Sequence, residues 1–183
     1  MRALLIRHAA SSGQAPDAPL SAEGFEAAER LASWLAAQKT ARLFSSPYLR
    51  AQQTLARFAA NVEQDVTILD DLRERLLSPT EREDWQQQIC LSFDDPDHAC
   101  PGGESVNDVR ERAGRALAFI EEQGGPVPVF VTHGGLTSAL FSAVDPAFGF
   151  DAWKSLRNPD VFAVHIAGAQ ITSFERIEWD KQV

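Results

Sequence analysis

The apolar residues of this sequence follow two alternating patterns. Short uninterrupted runs predict strands at residues 3–6, 43–44, 66–69 and 127–131, and the first and last are typical of strands buried on both faces. Longer stretches carry apolar residues at helical spacing and predict helices at residues 21–38, 46–60, 105–121 and 136–144. Strands that alternate with helices indicate βαβ units, and therefore a three-layer α/β/α sandwich around a mainly parallel sheet.

Local signals place the ends of several elements. Ser21 has the position of an N-cap for the first helix, and Ser46-Pro47 combines an N-cap serine with a proline at the first helical position. Two further strands, at residues 161–166 and 171–177, are separated by Gly168 and close the sheet.

One segment, residues 75–103, shows no strand pattern. It predicts a short helix at residues 85–91, followed by an acidic turn that contains two prolines. The chain has 183 residues, which fits one domain, and we find no repeat or linker in it. We therefore expect a single domain over residues 1–183, with residues 75–103 as an insertion.

The charge balance narrows the range of partners. Lysine and arginine number 17 against 26 aspartate and glutamate residues, a net charge of −9. A nucleic-acid or anionic-membrane binder needs a basic surface, so we expect neither partner, whereas a small anionic ligand in a local basic pocket remains compatible. No apolar run approaches the ~20 residues of a membrane helix, and no secretory signal is evident. We therefore expect a cytoplasmic protein. In the reducing cytosol, Cys90 and Cys100 are expected to be free thiols. Nothing in the sequence predicts the oligomeric state.

Charged and imidazole side chains follow the predicted strands at the points where they end. In parallel sheets, ligands bind beyond the carboxyl ends of the strands, so these side chains are the first candidates for a functional site. They are Arg7 and His8 after the first strand, Arg50 after the second, Glu74 after the third, and His133 and Gly134 after the fourth.

This set of side chains indicates phosphoryl chemistry. Guanidinium groups match phosphate oxygens in bidentate fashion, and helix N-termini add N–H donors. An imidazole can attack phosphorus and carry the phosphoryl group, while a carboxylic acid protonates the departing alkoxide. Two arginines and a second histidine can supply the positive field, so no metal or other cofactor is required. A metal site built from Cys90, His98 and Cys100 is disfavoured, because their spacing fits no regular zinc pattern.

A family resemblance strengthens this interpretation. Arg7-His8-Ala9 resembles the Arg-His-Gly signature of the histidine phosphatase superfamily, the phosphoglycerate-mutase-like enzymes. Asn158 is a weaker match beyond the main motifs. The remaining motifs occur in the order that the family has, at residues 20–24, 45–54, 72–74, 103–105 and 129–135.

The resemblance implies a role for each matching residue. His8 is the expected nucleophile and becomes phosphohistidine. Glu74 is the expected general acid and then the base for the attacking water, with Glu104 as the alternative. The remaining expected contacts to phosphate come from Arg7, Arg50, His133, the Gly134 N–H, Ser11 and Gln14.

Two departures from the family pattern affect the fine geometry. Ala9 replaces the usual glycine after the histidine, and Ala10 stands where a glutamate or glutamine is common. Neither position has a chemical role, so the predicted reaction is unchanged. We expect metal-independent hydrolysis of a small phosphorylated metabolite through a phosphohistidine.

Three alternatives stay open beside the phosphomonoesterase. They are a phosphoglycerate mutase, a phosphatase for protein phosphohistidine, and a phosphate-binding module with little turnover. For residues 75–103 we expect a lid over the pocket that selects the leaving group of the substrate. Trp85, Trp153 and Trp179 are interpreted as packing residues of the core or lid.

Overall fold

A six-stranded sheet runs through the computed structural model, which describes residues 1–40, 42–123 and 125–181. The strands are β1 (Arg2–Arg7), β2 (Leu43–Ser45), β3 (Val66–Ile68), β4 (Val129–Thr132), β5 (Asp160–Ala167) and β6 (Gln170–Ile177). The α-helices are α1 (Ala22–Ala36), α2 (Leu49–Asn61), α3 (Trp85–Asp94), α4 (Val106–Gln123), α5 (Gly134–Val144) and α6 (Phe150–Lys154). Within the described ranges, no helix is both long enough and apolar enough to cross a membrane.

The strand order is β3-β2-β4-β1-β5-β6. The first four strands in this order are parallel, and β5 and β6 continue the sheet in antiparallel pairing. The mainly parallel sheet predicted from the alternation of elements is therefore confirmed. Because β1 lies beside β4 with Arg7 opposite Thr132, the segments that follow these two strands begin at the same edge of the sheet.

Helices cover both faces of the sheet and bury its apolar residues. Leu5 of β1 and Phe130 of β4 point into a core formed with α4 and α5. Leu4 and Ile6 point to the opposite face and pack against α1 and α2. Since β1 and β4 are central, residues on both of their faces are shielded from water, which explains their uninterrupted apolar runs. The three-layer α/β/α sandwich is confirmed.

The start of α2 differs from the prediction. The N-cap is Tyr48 and the helix begins at Leu49, so Ser46 and Pro47 precede it. The Ser46 N–H still donates to the Val131 carbonyl at 2.9 Å, which holds this serine at the end of the sheet instead of in a helical cap. The predicted N-cap at Ser46 and helix start at Pro47 are therefore wrong, because pairing with β4 keeps Ser46 at the end of the sheet.

Other helix ends agree more closely with the sequence pattern. The Ser21 hydroxyl caps α1 by accepting the Gly24 N–H at 3.1 Å, as predicted. Helix α5 begins at Gly134, two residues before the predicted start at residue 136. Helix α6 (Phe150–Lys154) was not predicted, because five residues are too few to show a helical period.

Gly24 is required by the close approach of α1 to the loop after β1. A Cβ atom at this position would lie 1.9 Å from the Ala10 carbonyl oxygen, and backbone cannot yield as a flexible side chain can. We expect Gly24→Ala to lower the free energy of unfolding by about 1–3 kcal/mol, measured by urea denaturation. Gly114→Ala is the matched control, because its Cβ would lie at an ordinary 3.5 Å from the Ala169 carbonyl oxygen. Equal stability of the two variants would contradict this account.

Candidate active site

The two histidines predicted from separate strand ends lie side by side. The His8 N–H donates to the Thr132 carbonyl at 2.9 Å, which extends the β1–β4 pairing by one residue. The ring centroids of His8 and His133 are 5.0 Å apart, with an interplanar angle of 60°. Both side chains are buried. The parallel pairing of two central strands therefore builds the centre of the site.

His8 is held as a neutral imidazole in one tautomer. Its Nδ1 lies 2.7 Å from the Ala9 carbonyl oxygen, which can only accept, so Nδ1 carries the proton and Nε2 has the lone pair. The Arg50 Nε–H donates to this Nε2 at 3.2 Å. Burial lowers the pKa of His8 to about 3, with the charges of Arg50 and Arg7 acting in the same direction and the bond to Ala9 opposing it. His8 thus presents a nucleophilic nitrogen at neutral pH.

Two arginines bring positive charge to this nitrogen. Arg50 is buried, and its Nη1 donates to the carbonyls of Gln14 and Ala15 at 3.1 and 2.9 Å. Arg7 Nη1 donates to the Leu156 carbonyl at 2.7 Å, while its buried Nε has no partner among the described residues. Burial lowers the pKa of both arginines and the charge of Glu74 counteracts this shift. The Arg7 Nε–H is therefore a donor that remains available for an anion.

His133 is the N-cap residue of α5 and lies beside His8. Its Nε2 lies 2.7 Å from the Ser46 hydroxyl, and its buried Nδ1 has no partner in the described part of the chain. Burial lowers its pKa well below the ordinary value, and the positive charges of Arg50, Arg112 and Arg7 lower it further. Ser46 was interpreted from the sequence only as a cap, and no local signal identifies it as the partner of a histidine 87 residues away.

Gly134 brings the backbone of α5 against Arg7. A Cβ atom on Gly134 would lie 3.2 Å from the Arg7 Nε, closer than an ordinary van der Waals contact. Glycine at this position lets the first N–H groups of the helix and the guanidinium line one space. A helix N-terminus and an arginine together favour an anion, and in this structure the Glu74 carboxylate accepts two N–H groups of the first helical turn.

Glu74 lies at the N-terminus of α5. Its Oε1 accepts the N–H groups of Arg75 and Leu136 at 2.8 and 3.2 Å, and its Oε2 accepts the Gly135 N–H at 3.1 Å. The carboxyl group lines the same cavity as Arg7 and Gly134. The structure therefore places Glu74 at the start of the helix that His133 caps, with its charge acting on Arg7 and Arg50.

Glu104, the alternative acid, is occupied elsewhere. It forms a two-pronged pair with Arg112 at 2.7 and 3.0 Å, and accepts further bonds from Arg73 and from the Leu76 N–H. Burial raises the pKa of Glu104, but the hydrogen bonds and charge of Arg112 outweigh this and lower it overall. Glu74 lines the cavity, whereas Glu104, like His8, Arg50 and His133, is not part of its lining. The two carboxylates are therefore distinguished mainly by the pair with Arg112, which holds Glu104.

Of the two residues predicted to bind phosphate in the loop after β1, one lines the cavity and the other does not. Gln14 lines the cavity, whereas the Ser11 hydroxyl donates to the Gly13 carbonyl at 2.9 Å and is not part of the lining. Asn158 lines the cavity and its Nδ2 donates to the His8 carbonyl at 2.8 Å. The methyl group of Ala9 is buried in a small apolar cluster with two other residues, Leu20 and Ala28, which accommodates the departure from glycine.

The cavity beside these residues has a volume of about 890 Å³. A large part of its lining comes from residues 75–103, which with α6 form what we call its outer wall. Trp85 and Trp153 line it, whereas Trp179 is buried in the core beside α1 and α2. His98 and Cys100 both contact the Gln88 side chain, and the described residues contain no group of three or more side chains suited to hold a metal ion.

The neutral histidines make the fold sensitive to acid. The unfolded chain protonates a histidine near pH 6.5, whereas the folded chain resists protonation of His8 and His133, so stability is lost as the pH falls below 6.5. We expect both histidines to lower the free energy of unfolding as the pH falls from 6.5 to 5, with a slope that for His8 rises toward about 1.4 kcal/mol per pH unit. The free energy of unfolding, measured by urea denaturation at several pH values, should depend less steeply on pH in His8→Ala than in wild type. Identical slopes would mean that His8 is not held neutral.

Comparison with known proteins defines the class of the chain. Residues 3–178 match the family model of the histidine phosphatase superfamily (branch 1), so the chain belongs to this superfamily. The resemblance read from the motifs is confirmed, and with it the phosphatase class of enzyme at the level of the family.

The individual proteins that resemble the chain have low sequence identity to it. The chain is 27% identical over 175 residues to a Salmonella paratyphi C protein named "probable phosphoglycerate mutase GpmB", covering 86% of this chain and 79% of the relative. Its fold is similar to Bacillus stearothermophilus YhfR, with a TM-score of 0.74, 24% identity and coverage of 93% of each chain. It is also similar to a mycobacterial glucosyl-3-phosphoglycerate phosphatase in complex with VO3, with a TM-score of 0.75, 24% identity and coverage of 96% of each chain.

Proposed function

We propose that the protein is a phosphomonoesterase that hydrolyses a small phosphorylated metabolite through a phosphohistidine at His8. The observation that carries this proposal is the state of His8. Its Nδ1–H is bound to the Ala9 carbonyl, and its Nε2 lone pair accepts the Nε–H of the buried Arg50 at 3.2 Å. Arg7, whose charge also acts on this imidazole, lines the cavity together with Glu74. A neutral imidazole beside fixed positive charge is suited to attack a phosphate dianion.

The proposed reaction has two steps. In the first, the His8 Nε2 forms a bond to phosphorus, the bond from phosphorus to the leaving oxygen breaks, and Glu74 in its acid form gives its proton to that oxygen. In the second, the Glu74 carboxylate takes a proton from water, which attacks phosphorus and releases phosphate from His8. The guanidinium groups of Arg7 and Arg50 stabilise the charge on the phosphoryl oxygens in both steps, so no metal ion takes part.

The test of this proposal is turnover of p-nitrophenyl phosphate in excess EDTA, beside incubation with 3-phosphoglycerate and a bisphosphate primer. Hydrolysis in EDTA, without isomerisation of phosphoglycerate, is the expected result. Isomerisation faster than release of phosphate would establish the mutase instead. Binding of vanadate with no turnover of either substrate would establish a binding module.

Replacement of Glu74 separates the two proposed steps. We expect Glu74→Gln to lower kcat on an alkyl phosphate by about 10²–10⁴-fold, because an alkoxide needs a proton to depart. With p-nitrophenyl phosphate the first step needs no proton, so stopped-flow absorbance should show a burst of nitrophenol followed by slow release of phosphate.

Glu81→Gln is the control, because Glu81 is a second carboxylate of the same cavity. It should leave the ratio of the two substrate activities unchanged. Loss of activity on both substrates to the same extent, without a burst, would show that Glu74 does not act as the acid.

A further inference from the structure

Two tryptophans form the outer wall of the cavity. Trp85 lies at the start of α3 and Trp153 lies in α6, with their ring centroids 6.2 Å apart and an interplanar angle of 76°. Both line the cavity that contains Arg7 and Glu74. Trp85 is 42% exposed, so much of its ring surface is accessible. The rings therefore face the path that a leaving group would occupy.

Further apolar side chains line the cavity among polar ones. The large apolar members beside the tryptophans are Leu77, Ile89, Phe93 and Leu156. A volume of about 890 Å³ is far larger than a phosphate group and falls within the range of small-molecule sites. The wall thus offers room and apolar contact to a sizeable group attached to the phosphate.

The arginines on this wall are already engaged. Arg82 forms a two-pronged pair with Asp84 at 2.8 and 2.9 Å. Arg75 donates to the Glu104 carbonyl and to the Ser92 hydroxyl at 2.9 and 2.8 Å. Among the described residues of this wall, the remaining cation is Lys154, whose Nζ lies 5.4 Å from the centroid of the Phe150 ring, and the carboxylate of Glu81 in the same lining offsets its charge. The outer wall differs in this respect from the phosphate end.

We infer that the enzyme selects phosphomonoesters whose leaving group carries a flat aromatic ring or a comparably bulky apolar group, bound between residues 75–103 and α6 against Trp85 and Trp153. This inference rests on the proposed function for the reaction but not for the binding of the ligand. Aromatic rings pack favourably edge-to-face or offset against tryptophan, and their burial adds apolar contact.

The experiment compares 2-(1-naphthyl)ethyl phosphate with ethyl phosphate. Both release a primary alkoxide, so the chemical step is matched and only the apolar group differs. We expect wild type to prefer the naphthyl substrate in kcat/KM, and Trp85→Ala or Trp153→Ala to lower that value by about tenfold to a hundredfold while ethyl phosphate changes less than about twofold. Trp85→Phe should restore most of the preference.

Leu91→Ala is the matched control. Leu91 lies on α3 with an exposure of 40%, close to that of Trp85, but it is not among the lining residues. It should leave both substrates unaffected. Equal kcat/KM for the two substrates in wild type, or a preference for 3-phosphoglycerate, would overturn the inference and leave the phosphatase intact.

Binding of the non-hydrolysable 2-(1-naphthyl)ethylphosphonate separates the two proposals. Calorimetry should show tighter binding than for ethylphosphonate, with the difference lost in Trp85→Ala. If neither phosphate ester is hydrolysed but the naphthyl phosphonate binds more tightly in a Trp85-dependent way, the proposed phosphatase function is wrong. The inferred preference for an aromatic group is then still supported. If hydrolysis occurs and the two phosphonates bind equally, the inferred preference for an aromatic group is wrong and the proposed phosphatase function is still supported.

Discussion

We expect His8→Ala to lower kcat on p-nitrophenyl phosphate by about 10⁴-fold or more. The substitution removes the nitrogen proposed to attack phosphorus but leaves Arg7 and Arg50, the proposed contacts to phosphate. Vanadate or phosphate should therefore still bind, while turnover is lost. Quenching the wild-type reaction within milliseconds should trap a phosphoenzyme that is stable in base and lost in acid, as expected for phosphohistidine.

His165→Ala is the control for this result. His165 lies on β5 with an exposed side chain, in the antiparallel part of the sheet, and has no place in the site. Its replacement should change kcat less than about twofold, as is usual for surface positions away from a site. Activity that survives in His8→Ala, or an acid-stable phosphoenzyme, would show that another residue is the nucleophile.

We expect Arg112→Ala to destabilise the fold by about 3–5 kcal/mol. The Arg112 side chain is 3% exposed and binds the carboxylate of Glu104. It also donates to the backbone carbonyls of three residues in the segment that ends at the proposed acid, namely Asp71, Arg73 and Glu74. Its loss would leave a half-buried carboxylate and three carbonyls without their donor. Urea denaturation at pH 7 measures the effect.

Arg115→Ala provides the comparison for this loss. Arg115 lies on the same helix and pairs with Asp71 at 2.9 Å, but its side chain is 58% exposed. Exposed ion pairs contribute about 0–1 kcal/mol, so the expected effect is small. If Arg112→Ala lowers the free energy of unfolding no more than Arg115→Ala does, the buried hydrogen bonds of Arg112 do not stabilise the segment that ends at Glu74. The double variant Glu104→Gln and Arg112→Met should recover part of the free energy of unfolding that Arg112→Ala loses.

Most of the sheet and the two histidines could be predicted because their signals are local. The strands β1 and β4 are buried on both faces, so their apolar runs end where the sheet ends, and His8 and His133 follow at once. The start of α2 could not be predicted from the capping signal of Ser46, because that residue is held by Val131 of a strand far along the chain.

The choice between Glu74 and Glu104 also needed the tertiary structure. Both are carboxylates near strand or helix ends, and the sequence left both open. Arg112, which pairs with Glu104, looks in sequence like any other arginine of an amphipathic helix, since nothing local distinguishes a buried guanidinium from an exposed one. Trp85 and Trp153 were interpreted as packing residues, because sequence does not show that their rings share one cavity.

The sequence by itself determined the layered α/β fold, the family and the residues that follow the central strands. These depend on apolar periodicity and on residue order, which a chain carries along its length. Only the tertiary structure decided the tautomer of His8, the partner of His133, the position of Glu74 at α5 and the outer wall of the cavity. Each of these depends on which distant residues meet, and on the burial that follows when they do.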